Sequence, residues 1–293
     1  MKKFLISTIY IALAIGVLKA QDVKFGIRGG MNLSNMMAGG KSTPVSEDYK
    51  SRTAVGAGIF TELQLNPMFS VRFGVEYSQM GGKKNGMQAL PSMRLINEMG
   101  NSLGMLASSE QIAGLQAIAG VIVPQYPYYY ANIDNTVKMD YVMIPVLAQV
   151  GWDIGETPWR VYVNAGPFVS FILSGKQAAK GNSKMFADAS GTRTLWDIIP
   201  PPIQDNITEI FPGMVSTLSD PVSFGTTNIT GELKSTNFGI TGNVGIRYQC
   251  GRNYFFLEAG GNYGFITVQN DDANGSNRLG AATVMAGYSF SLF

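Results

Sequence analysis

At 293 residues and a net charge of +2, the chain is long enough for one large or two ordinary domains, and its charge is too small to point to nucleic acid. A single cysteine, Cys250, and no histidine rule out an internal disulfide framework and a multi-cysteine metal site. They also disfavour most zinc sites and every Ser-His or Asp-His catalytic arrangement. Charged residues make up 14% of the chain and there are 35 glycines, where ordinary globular chains carry about 25% charged residues and about 7% glycine.

Lys2 and Lys3 precede an apolar run, Phe4 to Leu18, which ends in Lys19-Ala20-Gln21. This is the layout of a secretory signal, and the run is too short to read as a membrane span. Residues 1–20 are therefore expected to be cleaved after Ala20, leaving 21–293 as one domain. No cysteine follows the run, which excludes a lipoprotein anchor. A first strand is expected from Val23 to Leu33, where Phe25, Ile27, Met31 and Leu33 alternate with Lys24, Gly26, Arg28, Gly30 and Asn32. A polar loop follows to Lys50.

From Arg52 to Met80 the chain reads as a hairpin turned by Asn66-Pro67. Val55, Ala57, Ile59, Leu63 and Leu65 share one face of its first arm, and Phe69, Val71, Phe73, Val75 and Tyr77 one face of its second. Glu62, Arg72 and Glu76 lie on the opposite faces. The alternation then stops from Gly81 to Asn135, where Leu95, Met99, Leu103 and Leu106 recur at helical spacing. One or two short amphipathic helices are expected there, in a loop that covers its own apolar side or acts as a plug or partner-binding lid.

Strands four (Val137 to Trp152) and five (Trp159 to Gly175) follow, and Pro145 would normally demote the former to an edge or a bulge. A second long irregular segment, Lys176 to Leu233, precedes strands six (Lys234 to Cys250), seven (Tyr254 to Val268) and eight (Leu279 to Phe293). Short links at two-three, four-five and six-seven alternate with long or polar ones, the rhythm of an all-β, eight-stranded antiparallel up-and-down transmembrane barrel with two long, partly helical extracellular loops. The non-apolar faces are dense in Gly, Ala, Ser and Asn and poor in Lys and Asp. A small barrel interior needs that mixture, and a water-facing exterior does not. The apolar faces are therefore expected to meet lipid, and the charged ones to meet each other inside.

The lumen ionic set is Lys24, Arg28, Arg52, Glu62, Arg72, Glu76, Arg160, Arg247 and Glu258. Glu62 faces Arg72 across the hairpin, and Arg247 lies diagonal to Glu258 across the Gly251-Arg252-Asn253 turn. Buried charges persist only when paired, so an interlocked core in the periplasmic half is expected. Its structural role is to fill and specify the barrel; the functional alternative is a gated narrow pore with a net positive lining.

With the strands placed, FGIRGGMNLS, FGVEYSQMG, MDYVMIPVLAQVG and VYVNAGPFVSFILSG together resemble the Bacteroidetes-type outer-membrane β-barrel domain family, to which PorT-like proteins belong. Where that family often carries a glutamate and a lysine in strand four, this chain has Met143 and Gln149. The final VMAGYSFSLF resembles a barrel-assembly signal, although Phe293 falls on the face opposite Val284, Ala286, Tyr288, Phe290 and Leu292. The expected function is a non-enzymatic outer-membrane barrel presenting loops 81–135 and 176–233, with a narrow channel or a PorT-like component of type IX protein export as the alternative. An outer-membrane enzyme is disfavoured by the missing histidine. Expected partners are outer-membrane lipid, the barrel-assembly machinery and a surface or secretion partner at the two loops, with a monomeric state, no cofactor, no metal and no nucleic acid.

Overall fold

The computed structural model describes residues 22–39, 43–103, 108–210 and 212–292. The expected secretory segment, Leu106 and Phe293 lie outside the described residues.

Eight strands form the wall: β1 (Asp22–Ala38), β2 (Arg52–Gln64), β3 (Phe69–Pro91), β4 (Tyr128–Asp153), β5 (Trp159–Lys180), then, after the two- and three-residue strands β6 (Asn182–Ser183), β7 (Val222–Ser223) and β8 (Thr226–Asn228), β9 (Thr236–Cys250), β10 (Asn253–Gly264) and β11 (Asn277–Ser291). Each pairs antiparallel with its neighbours, and β1 pairs with β11, so the sheet closes. Following the pairing once around, Val23 leads through Leu63, Val71, Ala148, Ala165, Gly242, Gly261 and Ala282 back to β1 at Leu33, ten residues further along. For eight strands that stagger gives a tilt of about 40° and a backbone radius of about 8 Å, an interior that side chains fill.

The short turns have local causes. Asn66 Oδ1 accepts from the amides of Met68 and Phe69, both at 2.9 Å, which closes the β2–β3 turn around Pro67. Gly251, with φ of 64°, supplies the left-handed residue between β9 and β10. Pro145 sits in an interior strand, neither at an edge nor at the β4–β5 bulge, where Leu173 of β5 is the extra residue opposite Asp140 and Tyr141. The β3–β4 ladder lapses opposite it, between Phe73↔Val146 and Glu76↔Met143, which is how a residue without an amide hydrogen is accommodated.

Period-2 alternation puts Ile27, Ile59, Val163, Val244 and Leu257 on the exposed outer wall and leaves Arg72, Glu62 and Glu258 almost fully buried within. On β9 the outward apolar run extends from Phe238 to Tyr248, ten residue steps or about 25 Å along the axis, the height of a barrel's lipid belt. Aromatic pairs mark its edges: Trp159–Tyr248 (4.9 Å) and Phe255–Tyr288 (5.4 Å) near the short turns, Phe238–Phe265 (5.8 Å) at the other side.

The structure corrects the reading of the long segments. β3 continues to Pro91, β4 begins at Tyr128 and β5 runs to Lys180, so one side of the barrel wall rises well above the belt. Alternation disappears there because Gly81, Gly82, Lys84 and Gln88 are all buried in a stretch with no lipid-facing side. Helices Ser92–Leu103, Ser109–Gln125, Pro201–Ile210 and Pro212–Ser219 join these extensions in a head. Its own core contains Leu90, Leu95, Tyr129, Ile133, Leu195 and Leu218. Of the four residues read at helical spacing, Leu95 is buried in that core. In a head turn, the Thr192 amide, the Ser190 hydroxyl and the Arg193 amide hold the Asp188 carboxyl well below the usual carboxylate range.

Candidate functional site

Inward positions of β1, β2, β3, β9 and β10 in the half nearer the short turns carry one continuous ionic chain. Arg28 donates to Glu76 with one Nη and to Glu258 Oε2 with the other at 2.8 Å. Arg72 links Glu258 to Glu62, which it reaches at 3.2 Å. Arg247 grips both oxygens of Glu62, at 3.0 and 2.6 Å. The order is Glu76, Arg28, Glu258, Arg72, Glu62, Arg247, so guanidinium and carboxylate alternate and the charges cancel.

Neutral groups complete it. Tyr162 Oη (2.8 Å) and Asn164 Nδ2 (3.3 Å) donate to Glu258. Gln149 accepts from Arg72 at 3.0 Å and donates to Glu62 at 3.2 Å. Among the described residues no acceptor meets Nε of Arg72 or of Arg247. Their guanidinium groups lie instead over aromatic rings, Arg72 at 4.4 Å from the Phe60 centroid and Arg247 at 5.0 Å from that of Tyr162.

Three members of the expected ionic set lie elsewhere. Lys24 pairs with Asp22 at 3.0 Å and donates to Gln64, beside the chain but not in it. Arg52, at the far end of β2, donates to the Met80 carbonyl at 3.1 Å. Arg160 stands at the short-turn rim, where it bonds Asp153 at 2.8 Å and the carbonyls of Pro67 and Gly151. Arg247 also takes a different partner from the expected one: it reaches across the lumen to Glu62, because the stagger brings the two to one level while Glu258 is drawn to Arg28 and Arg72. Sequence reading missed Gln149 as a member; its inward parity on β4 was the available signal.

Glycines make room for this core. Phe60 lies opposite Gly26, Phe256 opposite Gly287 and Tyr162 opposite Gly245 in register. A Cβ on Gly245 would stand 2.4 Å from the Tyr162 ring. Gly245→Val is therefore expected to displace Tyr162 from Glu258 and to lower the urea midpoint of the refolded barrel by an amount corresponding to about 1–3 kcal/mol. An unchanged midpoint would show that the ring moves without cost.

Towards the long loops the lumen holds an apolar cluster beside buried polar groups such as Arg52, Ser34 and Asn277. Inward Met36, Met80, Met139, Met143, Phe168 and Leu279 pack against Ile229 and Leu233, which the loop after β8 folds over the opening, and against Val268. Gly175 leaves the space that Leu233 takes, since a Cβ there would lie 2.5 Å from Leu233 Cδ1. Among the described residues, no group of three or more metal-ligating side chains is assembled. The arrangement fills and locks the cylinder, with charge pairs at one end and methionine and aromatic side chains at the other.

The sequence model for the outer membrane protein beta-barrel domain matches residues 19–270. Among solved structures, Neisserial surface protein A is 11% identical, covering 91% of this chain and 96% of its own with a TM-score of 0.35. Ail, the attachment invasion locus protein of Yersinia pestis, is 12% identical over 92% of this chain and 100% of its own, with a TM-score of 0.33. OprG from Pseudomonas aeruginosa is 9% identical over 94% and 99%, with a TM-score of 0.33. No curated protein matches the sequence.

Proposed function

Because the chain belongs to the outer membrane protein beta-barrel domain family, we propose that it is a non-enzymatic anchor, a bacterial outer-membrane barrel whose filled lumen supports a folded head outside the cell. One observation carries this reading: β3, β4 and β5 run on past the lipid belt into a head with its own core, above a lumen packed at both ends. The short turns then face the periplasm, and residues 1–20 are the secretory signal. The head, with segments 81–135 and 176–233, meets the surface or secretion partner. Lipid surrounds the outer wall, and the assembly machinery inserts the chain as a monomer. The absence of histidine and the mutual engagement of the lumen ions support a non-enzymatic role.

The PorT-like resemblance of FGVEYSQMG and its companion segments favours a second reading, a component of protein export. Loss of the gene would then impair cargo secretion, where the anchor reading expects only altered surface adhesion.

Planar-bilayer recording tests the closed lumen. The protein is expected to give no steady conductance, either as wild type or as Arg28→Ala, and its head to be cleaved by protease added to intact cells. Steady conductance that changes on Arg28→Ala would replace the anchor with a pore.

A further inference from the structure

The rising side of the wall carries an unbalanced set of lysines just above the belt. Lys138 on β4 and Lys176 on β5 are direct register partners, both exposed on the outer face. Lys83 on β3 pairs with Thr136, which makes it a diagonal neighbour of Lys138 on the same face. Two same-face pairs further up, Lys180 stands opposite Asp134, which is also the other diagonal neighbour of Lys83. Like charges directly opposite on a sheet are unfavourable. Among the described residues none of these lysines forms an ion pair, and the nearest carboxylate below, Asp140, is taken by the hydroxyls of Tyr77 (2.7 Å) and Ser174 (2.6 Å).

Depth identifies what neutralises them. Below a polar tier of Gln79, Asp140 and Ser174 the outer face turns apolar at Tyr77, Val142, Phe171 and Leu173. At a tilt of about 40°, Lys138 lies about 10 Å above Val142 along the barrel axis, at the outer limit of a headgroup layer about 5–7 Å deep and within a lysine side chain's reach of it. Further down the same wall, Val75 on β3 and Ile144 on β4 begin an apolar groove of about 920 Å³ that continues past Ile59, Ile27 and Phe25 to Phe290. Ile144 lies about 15 Å below Lys138, within reach of an acyl chain whose head rests on the lysines.

We infer that Lys138, Lys176 and Lys83 form a docking site for the phosphorylated headgroup of an outer-leaflet glycolipid, with an acyl chain in the groove beneath. The inference rests on the anchor reading for which leaflet the site faces; the chemistry of the patch does not depend on it. Native mass spectrometry of the full chain in dodecyl maltoside micelles, titrated with diphosphoryl lipid A, provides the test. The expected result is binding that weakens about fivefold for each lysine changed to glutamine, so about 25-fold for Lys138→Gln with Lys176→Gln, and that weakens as salt rises. Dephosphorylated lipid A should bind no better than the double variant binds the phosphorylated lipid, and millimolar inorganic phosphate should not displace the lipid. Equal affinity of wild type and double variant, or indifference to the lipid phosphates, would overturn the site. Displacement by free phosphate would overturn the lipid as its ligand. Unaltered electrophoretic heat-modifiability of the variant establishes that it is folded. Surface labelling of the head on intact cells reads orientation separately, so failure of the anchor reading leaves the micelle result interpretable.

Discussion

Glu62→Ala is expected to cost about 3–5 kcal/mol of folding stability, the range for removing one partner from a buried ion pair. Among the described residues Glu62 is the only carboxylate that Arg247 meets, and Arg247 is itself 3% exposed. The substitution therefore strands a guanidinium in a lumen about 8 Å in backbone radius with little water to solvate it. Arg72 is less affected, because it keeps Glu258. Urea titration of the protein refolded into phospholipid vesicles measures the effect. Arg247→Met added to Glu62→Ala should recover most of the loss, since an apolar replacement of the whole pair removes the desolvation cost along with the attraction. Glu76→Gln is the internal control: it ends the chain, Arg28 retains Glu258, and the cost should be clearly smaller. If Glu62→Ala cost less than about 1 kcal/mol, as an exposed pair would, the chain of charges would be solvated and the lumen open.

Parity made much of this legible. In a strand that faces lipid on one side and a tight interior on the other, the alternation is strong, and Ile59 against Phe60 and Glu62 is enough to orient β2. Closure, strand number and the short-turn rhythm follow from eight such segments. Partner choice inside the barrel was not legible, because it depends on stagger. Arg247 and Glu258 are close across their turn, yet a ten-residue displacement around the circle aligns Arg247 with Glu62 and Arg72 with Glu258. No local spacing encodes a contact between residues 185 positions apart.

The extensions of β3, β4 and β5 were hidden for a different reason. Hydropathy alternation reports a lipid boundary, and above the belt there is none. Lys84 and Gln88 are buried on the same strand on which Lys83 and Asn85 are exposed, so polar residues occupy both faces. Pairing instead persists through register, from Met80↔Met139 to Pro91↔Tyr128. The methionines of the upper lumen escaped for the converse reason: Met139, Tyr141 and Met143 make the inner face of β4 as apolar as its outer one, which removes the contrast that alternation needs.

Leu195→Asp separates head from barrel. Leu195 is 0% exposed in the head core, between Met185, whose carbonyl takes its amide at 2.9 Å, and the turn that begins at Trp196. An aspartate there would stand among the apolar side chains of the head core, so burial costs several kcal/mol, enough to unfold a small packed unit whose net stability is of similar size. The lumen lies on a separate set of contacts. The head core and the apolar plug of Met139, Met143, Phe168 and Leu233 are distinct clusters. Limited proteolysis of Leu195→Asp in vesicles is therefore expected to cut within residues 182–225 at least tenfold faster than in wild type, while the barrel strands stay protected and the urea midpoint of the barrel stays within about 0.5 kcal/mol of wild type. If the barrel unfolded together with the head, the two would be one cooperative unit. The rising strands would then be part of what closes the cylinder, and the head would not be a load that the cylinder supports.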